Sequence, residues 1–175
     1  MRVVIQRVTR ASVTVAGEVV GAIDRGLALL IGIEAGDTTE QVDYCVKKCL
    51  NARLWPESDV CEGNSPRSRR DWQKSVVQIE GSVLALSQFT LLGNIKKGNK
   101  PDFHAAMAPA EALVLFNYFV ESLKKAYAPN KIQQGVFGAY CAVDLVNDGP
   151  TTILLESSKT NKPYTITYLF LQLAC

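Results

Sequence analysis

Val83-Leu84-Ala85-Leu86-Ser87-Gln88-Phe89-Thr90-Leu91 begins as a buried strand and changes character at its end. Where a structural sequence would continue with core residues or a plain turn, two hydroxyls and an amide arrive, so hydrogen-bonding groups stand at the edge of a core. Upstream, Val76-Val77-Gln78-Ile79 and Ser82 through Leu86, joined at Glu80-Gly81, read as a compact hairpin leading into this segment. A second unusual segment, Asn147-Asp148-Gly149-Pro150-Thr151-Thr152, separates Val143-Asp144-Leu145-Val146 from Ile153-Leu154-Leu155. Its Gly-Pro predicts a tight, rigid turn projecting from two strands. Taken singly, the first segment could simply cap a strand end and the second could be an ordinary turn. Two such segments in one short chain point to a site.

Around them the pattern is that of an α/β domain. Residues 2–8, 11–15 and 18–23 alternate as strands, and 26–33 is a nearly continuous apolar strand. Asp37-Thr38-Thr39-Glu40 resembles a capping box, and Val42, Cys45, Val46, Cys49, Leu50 and Leu54 follow at helical spacing. A second helix is expected from Pro109, with the stripe Ala112, Leu115, Phe116, Phe119, Val120 and Leu123, and with Lys124 and Lys125 suiting its C-terminal dipole. Further strands are expected at 132–137, 139–146 and 151–156. Residues 56–75 are polar and include Arg67, Arg69 and Arg70, which reads as a mobile insertion. The last nineteen residues contain Tyr164 through Leu171, of strand composition.

The 175 residues suit one domain, here 1–156, with the 56–75 insertion and a 157–175 extension. A formal charge of +2 is too small to indicate a polyanion partner by itself, so any nucleic-acid contact is local. Charge interrupts the start of the chain too early for a secretory signal, and no apolar run spans a bilayer, so a cytoplasmic protein without membrane contact is expected. Five cysteines without a dense spacing fit reduced thiols rather than a disulfide scaffold.

Candidate chemistry outside the two segments is sparse. His104 is the single histidine; no Ser or Cys lies in a nucleophile-elbow pattern, and a packing or surface role is the preferred reading. Cys45 and Cys49 share a helix face but fall short of a zinc site, which needs four ligands, so neither metal nor cofactor is expected. Lys96, Lys97 and Lys100, near Gly93 and Gly98, form either a solvated loop or a place where ammonium groups receive backbone phosphates.

Ser87-Gln88-Phe89-Thr90-Leu91 and Asn147-Asp148-Gly149-Pro150-x-Thr152 resemble the two signature segments of D-aminoacyl-tRNA deacylases. The resemblance extends through residues 2–8, Ala11 through Val15, Lys97-Gly98-x-x-Pro101-x-Phe103 and Phe137-Gly138-Ala139, and covers residues 1–156. It implies a compact α/β single domain with antiparallel and mixed sheets and two main helices, working as a homodimer. The implied activity is hydrolysis of the ester joining a D-amino acid, or glycine, to the 3′-terminal adenosine of tRNA. Such an ester needs an oriented water and donors for the developing oxyanion more than a strong protein base. The resemblance gives the donors as the Phe89 and Thr90 N–H groups, with Ser87 and Gln88 beside them. It gives substrate binding to Phe137, Gly138, Ala139 and a cis Gly149-Pro150 lent by the partner subunit and steadied by Arg7; Lys96, Lys97 and Lys100 are candidates for tRNA contact by their charge and their place after the first segment. Thr90 is then either a covalent nucleophile or an orienting group while the substrate's ribose 2′-hydroxyl helps activate water; the second is preferred. The competing readings are a nucleic-acid-binding module without catalysis, using residues 67–70 and 96–100, and an assembly protein recruiting partners through its tail.

Overall fold

The computed structural model describes residues 1–57, 71–96 and 98–157. Six strands and two helices follow in the order β1 (Arg2–Val15), β2 (Glu18–Ile23), β3 (Gly26–Gly32), α1 (Thr39–Asn51), β4 (Ser82–Ser87), α2 (Pro109–Ala126), β5 (Ile132–Gln134) and β6 (Cys141–Glu156). They form one α/β domain around a mixed sheet. β1 pairs antiparallel with β2, β3 and β6, whereas β3, β4 and β5 run parallel. No helix among the described residues is long and apolar enough to cross a membrane.

Alternation explains the layering. Val3 and Ile5 of β1, Leu27, Leu29 and Ile31 of β3, and Val83 and Ala85 of β4 face the helices, whose buried stripes include Val42, Cys45, Val46 and Cys49 on α1 and Phe116, Phe119, Val120 and Leu123 on α2. The opposite face is buried as well, by Val8, Ala11, Val13, Ile23, Ala28, Leu84 and Leu86, because β2 contacts β4 and β5. The parallel strands β3 and β4 are therefore apolar at nearly every position, as sheets covered on both sides require.

Several expectations are corrected. The strands expected at 2–8 and 11–15 are one strand, β1, which shifts register around Val8 with Thr9 and Arg10 exposed, so the pattern break is a bulge rather than a turn. The strands expected at 139–146 and 151–156 are likewise one strand, β6, and the 132–137 strand shortens to β5. The hairpin over 76–86 does not form: Val76 through Glu80 is a turn closed by Gly81 N–H to Val76 O at 2.9 Å, and β4 pairs with β3 in parallel instead. The cap of α1 is Thr38, reciprocated by Gln41, whose Oε1 accepts from Thr38 N at 2.8 Å. Asp37 instead receives the Met1 ammonium at 2.8 Å, both side chains being fully buried. Trp55 bridges to Lys74 at the base of the polar stretch. Residues 58–70 of the expected insertion and the strand expected at 164–171 lie outside the described residues.

Candidate active site

β4 ends at Ser87 and passes through Gln88 into a 3-10 turn, Phe89–Leu92. Gln88 N–H continues the parallel ladder by donating to Ile31 O at 2.8 Å, and Gln88 O accepts the first bond of the turn from Leu91 N–H at 3.3 Å. The N–H groups of Phe89 and Thr90 precede that bond, as the first donors of any helical turn do. The Gln88 amide nitrogen is hydrogen-bonded to Thr90 Oγ1. An amide in either orientation is no base, so nothing in this contact prepares the hydroxyl to lose its proton. Phe89 and Thr90 are exposed, and Ser87 and Gln88 are half-buried.

Two features that the sequence pattern does not single out hold this turn. A Cβ on Gly32 would lie 2.6 Å from Leu92 Cδ2, 3.0 Å from Leu91 Cβ and 3.1 Å from Gln88 O, so the turn packs closely onto β3 where glycine leaves room for it. Arg2 donates from Nη1 to Leu91 O at 2.8 Å and pairs through Nε with Glu156 at 2.7 Å, fastening the turn to the sheet edge. The one local signal for Gly32 is its place at the end of an apolar strand; its near neighbours are distant in sequence.

Phe137, Gly138 and Ala139 leave β5 at the same end of the sheet as the turn, since β5 runs parallel beside β4 with Ala85 opposite Gln134. Phe137 packs on Phe116 with ring centroids 5.6 Å apart, and Gly138 has φ +71° in a turn closed by Ala139 N–H to Val136 O at 3.3 Å. Lys96 and Lys100 lie exposed in the loop after the turn; Lys97 lies outside the described residues.

Gly149-Pro150 stands elsewhere. Asp148, Gly149 and Pro150 form a bulge in β6, because Arg7 of β1 is opposite Thr151 while Val8 is opposite Asn147. The peptide bond is cis, both residues are exposed, and Gly149 has φ +125°, a conformation that favours glycine. Arg7, 7% exposed, donates from Nε to Asp148 O at 3.0 Å, pairs with Asp148 Oδ2 at 3.2 Å, and donates from Nη1 to Leu54 O. Arg7 thus clamps the bulge. The register places the bulge level with Gly26 and Ser82, at the far end of β4 from Ser87 and three strands away. With the usual strand spacing and rise, the two segments are about 20 Å apart within one chain.

Among the described residues no cluster of three or more His, Cys, Asp or Glu side chains is arranged to hold a metal. Cys45 and Cys49 are buried in the core, as their helical spacing implied. His104 lies on the loop before α2, exposed, with its ring hydrogen-bonded to Asp102.

The fold is that of a solved structure described as a probable eukaryotic D-amino acid tRNA deacylase, with a TM-score of 0.72 over 87% of this chain and 97% of that one at 19% identity. A family model described as D-Tyr-tRNA(Tyr) deacylase matches residues 4–156, and the chain belongs to that family of hydrolases. Similar proteins include D-aminoacyl-tRNA deacylase 1 of Leishmania major, 46% identical over 91% of this chain and 99% of that one, and its Mus musculus namesake, 47% identical over 90% and 70%. A solved structure described as c-Myc DNA Unwinding Element Binding Protein is 46% identical, with a TM-score of 0.80, over 90% of this chain and 99% of that one.

Proposed function

We propose that this protein hydrolyses the ester of D-aminoacyl-tRNA, and of glycyl-tRNA, in the cytoplasm, as a homodimer whose subunits complete one another's sites. Deacylation of D-aminoacyl-tRNA is what its close relatives are named for. The observation that carries the reading is the exposed 3-10 turn at the end of β4, where the Phe89 and Thr90 N–H groups stand ahead of the first hydrogen bond of the turn. Donors fixed in this way cost no reorganisation when a carbonyl oxygen gains charge.

In the proposed reaction, water oxygen attacks the ester carbonyl carbon, the two N–H groups hold the oxyanion, and the bond to the ribose 3′-oxygen breaks. That oxygen takes a proton, and the products are the free amino acid and tRNA. Thr90 orients the substrate, with Ser87 and Gln88 supporting the turn, and the ribose 2′-hydroxyl helps activate water. The Gln88 contact to Thr90 Oγ1 supports this over covalent catalysis, because a nucleophilic hydroxyl needs a base.

The subunit partner supplies Gly149-Pro150, whose backbone carbonyls accept from the substrate's amino group and leave no room for an L-side chain. Phe137, Gly138 and Ala139 line the pocket, and Lys96, Lys97 and Lys100 are the candidates for contact with the tRNA backbone. Three observations support a second copy. The bulge lies about 20 Å from the turn in its own chain. Among the described residues β6 has no strand on its outer edge, a liability that proteins normally cover. Asn147 Nδ2, beside the bulge, is buried without an acceptor among the described residues. Residues 1–156 form the working domain, and the 157–175 extension is outside it.

The test is a time course with D- and L-tyrosyl-tRNA and purified protein. Multiple turnover restricted to the D-ester is expected; equal or absent turnover overturns the proposal. The second reading, nucleic-acid binding without catalysis, is favoured by the 46% identical solved structure, which is named as a DNA unwinding element binding protein. It predicts retention of nucleic acid that weakens steeply with salt, without discharge.

A further inference from the structure

His104 has an exposed ring that is nevertheless held in place. Its side chain is 94% exposed, its backbone N–H donates to Asp102 Oδ1 at 2.8 Å, and its Nδ1 is hydrogen-bonded to the same oxygen. The Asp102 carboxyl is held below its ordinary range, first by the His104 backbone N–H and then by the His104 ring. A ring this exposed adds nothing to the core.

The loop that carries it is rooted on the candidate active site. Asn94 and Asp102 exchange N–H···O bonds of 2.8 and 2.9 Å, closing the neck of the loop. Phe103 meets Phe89 edge-on with ring centroids 5.1 Å apart, and a Cβ on Gly93 would lie 2.9 Å from the Phe103 ring. His104 is therefore one residue from a ring packed on Phe89, the neighbour of Thr90. Lys96 and Lys100 are exposed on the same loop.

Exposed aromatic rings interleaved with cations are how proteins follow single-stranded nucleic acid: every base has a π-face to stack, and the cations track the phosphates. A ring oriented beforehand loses less freedom on binding. We propose that His104 stacks on the base immediately 5′ of the terminal adenosine, with Lys96 and Lys100 beside the adjoining phosphates and Asp102 as the positioning residue. The single-stranded RNA 3′ end would lie past His104, Lys100 and Lys96 toward Thr90. The assignment of that terminus rests on the deacylase reading; the stacking itself does not require hydrolysis.

The test compares the full chain with H104A and H104F on D-tyrosyl-tRNA and on D-tyrosyl-adenosine, which lacks the preceding nucleotide. H104A is expected to raise KM for the tRNA about ten-fold with kcat within about two-fold, the size of a lost base–aromatic stack, and H104F to restore it. Hydrolysis of D-tyrosyl-adenosine should be the same in all three. An unchanged KM for the tRNA, an H104F as poor as H104A, or an equal loss on the adenosine ester overturns the proposal. A second readout is independent of turnover: an uncharged RNA stem ending in unpaired CCA, with a fluorescent base analogue in the penultimate position. The analogue's fluorescence should be quenched by the unmutated protein and not by H104A; quenching unaffected by H104A rejects the stack. Quenching that depends on His104, in a protein that discharges neither ester, rejects the deacylase reading and leaves the stack standing.

Discussion

Arg7 holds Asp148 at both its main chain and its side chain, with Nε 3.0 Å from the carbonyl oxygen and 3.2 Å from Oδ2, while Nη1 reaches Leu54 O. One buried guanidinium therefore fixes a bulge in β6 against the chain that follows α1. A planar fork can satisfy these divergent acceptors together; an ammonium cannot.

Arg7→Lys should accordingly lower stability by about 2 kcal/mol, in the range of hydrogen bonds to charged groups, read as a lower urea midpoint. Turnover of D-tyrosyl-tRNA should fall by more than the unfolded fraction explains, because the bulge loses its clamp. Wild-type stability together with wild-type turnover would contradict the assigned role.

Gly32→Ala tests the seat of the turn. The new Cβ would lie 2.6 Å from Leu92 Cδ2 and 3.1 Å from Gln88 O. Overpacking of this kind costs about 1–3 kcal/mol, and displacement of the Phe89 and Thr90 N–H groups should slow turnover with D-tyrosyl-tRNA. A variant with a lowered melting temperature and undiminished kcat would show that the turn tolerates the shift and that its position is not critical.

Thr90→Ala separates orientation from nucleophilic attack. If the hydroxyl only positions substrate, its loss removes on the order of one hydrogen bond, and kcat should fall no more than about ten-fold. Intact-mass measurement of the unmutated protein during turnover should find no acylated chain. Abolished turnover in the variant, with an acyl adduct at Thr90 in the parent, would establish the covalent route instead.

Burial pushes the Cys45 thiol up to about 12 from its ordinary value of 9, and Cys49 well above its own. The unfolded chain then gives up these protons at lower pH than the folded one. Their contribution to stability is complete below about pH 8, and is lost as pH rises toward 12. A urea midpoint that declines over this range is expected, less steeply in Cys45→Ala relative to its own value at pH 8. At pH 8 both thiols should resist alkylation in the folded protein; rapid labelling of either would contradict their burial.

Much of the architecture was readable from periodicity, and the failures share a cause. The stripes of α1 and α2 are set by residues three and four apart, and both helices form where expected. Which strands pair, by contrast, depends on contacts remote in sequence. Val76 through Ile79 resembles a hairpin arm, yet β4 finds its partner in β3, on the other side of α1. The breaks at Thr9-Arg10 and Gly149-Pro150 resemble strand ends, but each is a bulge within a longer strand, sustained by cross-strand pairing on both sides. The residues of the turn were legible because polar groups stood where core was due. Gly32 and Arg2 were not, because their roles are defined by a turn nearly 60 residues or more away.

Register also separates Thr90 from Gly149 across the sheet of one chain, so the proposed site requires two copies. Mixing Thr90→Arg, which covers the turn with a long side chain, with Gly149→Val, which alters the bulge, tests this most directly. Each variant alone should be inactive on D-tyrosyl-tRNA. After subunit exchange, heterodimers should hold one intact site each, restoring roughly a quarter of the wild-type rate if exchange is random, as isologous C2 pairing allows. No recovery, in a mixture shown by mass spectrometry to contain heterodimers, would contradict a site shared between subunits.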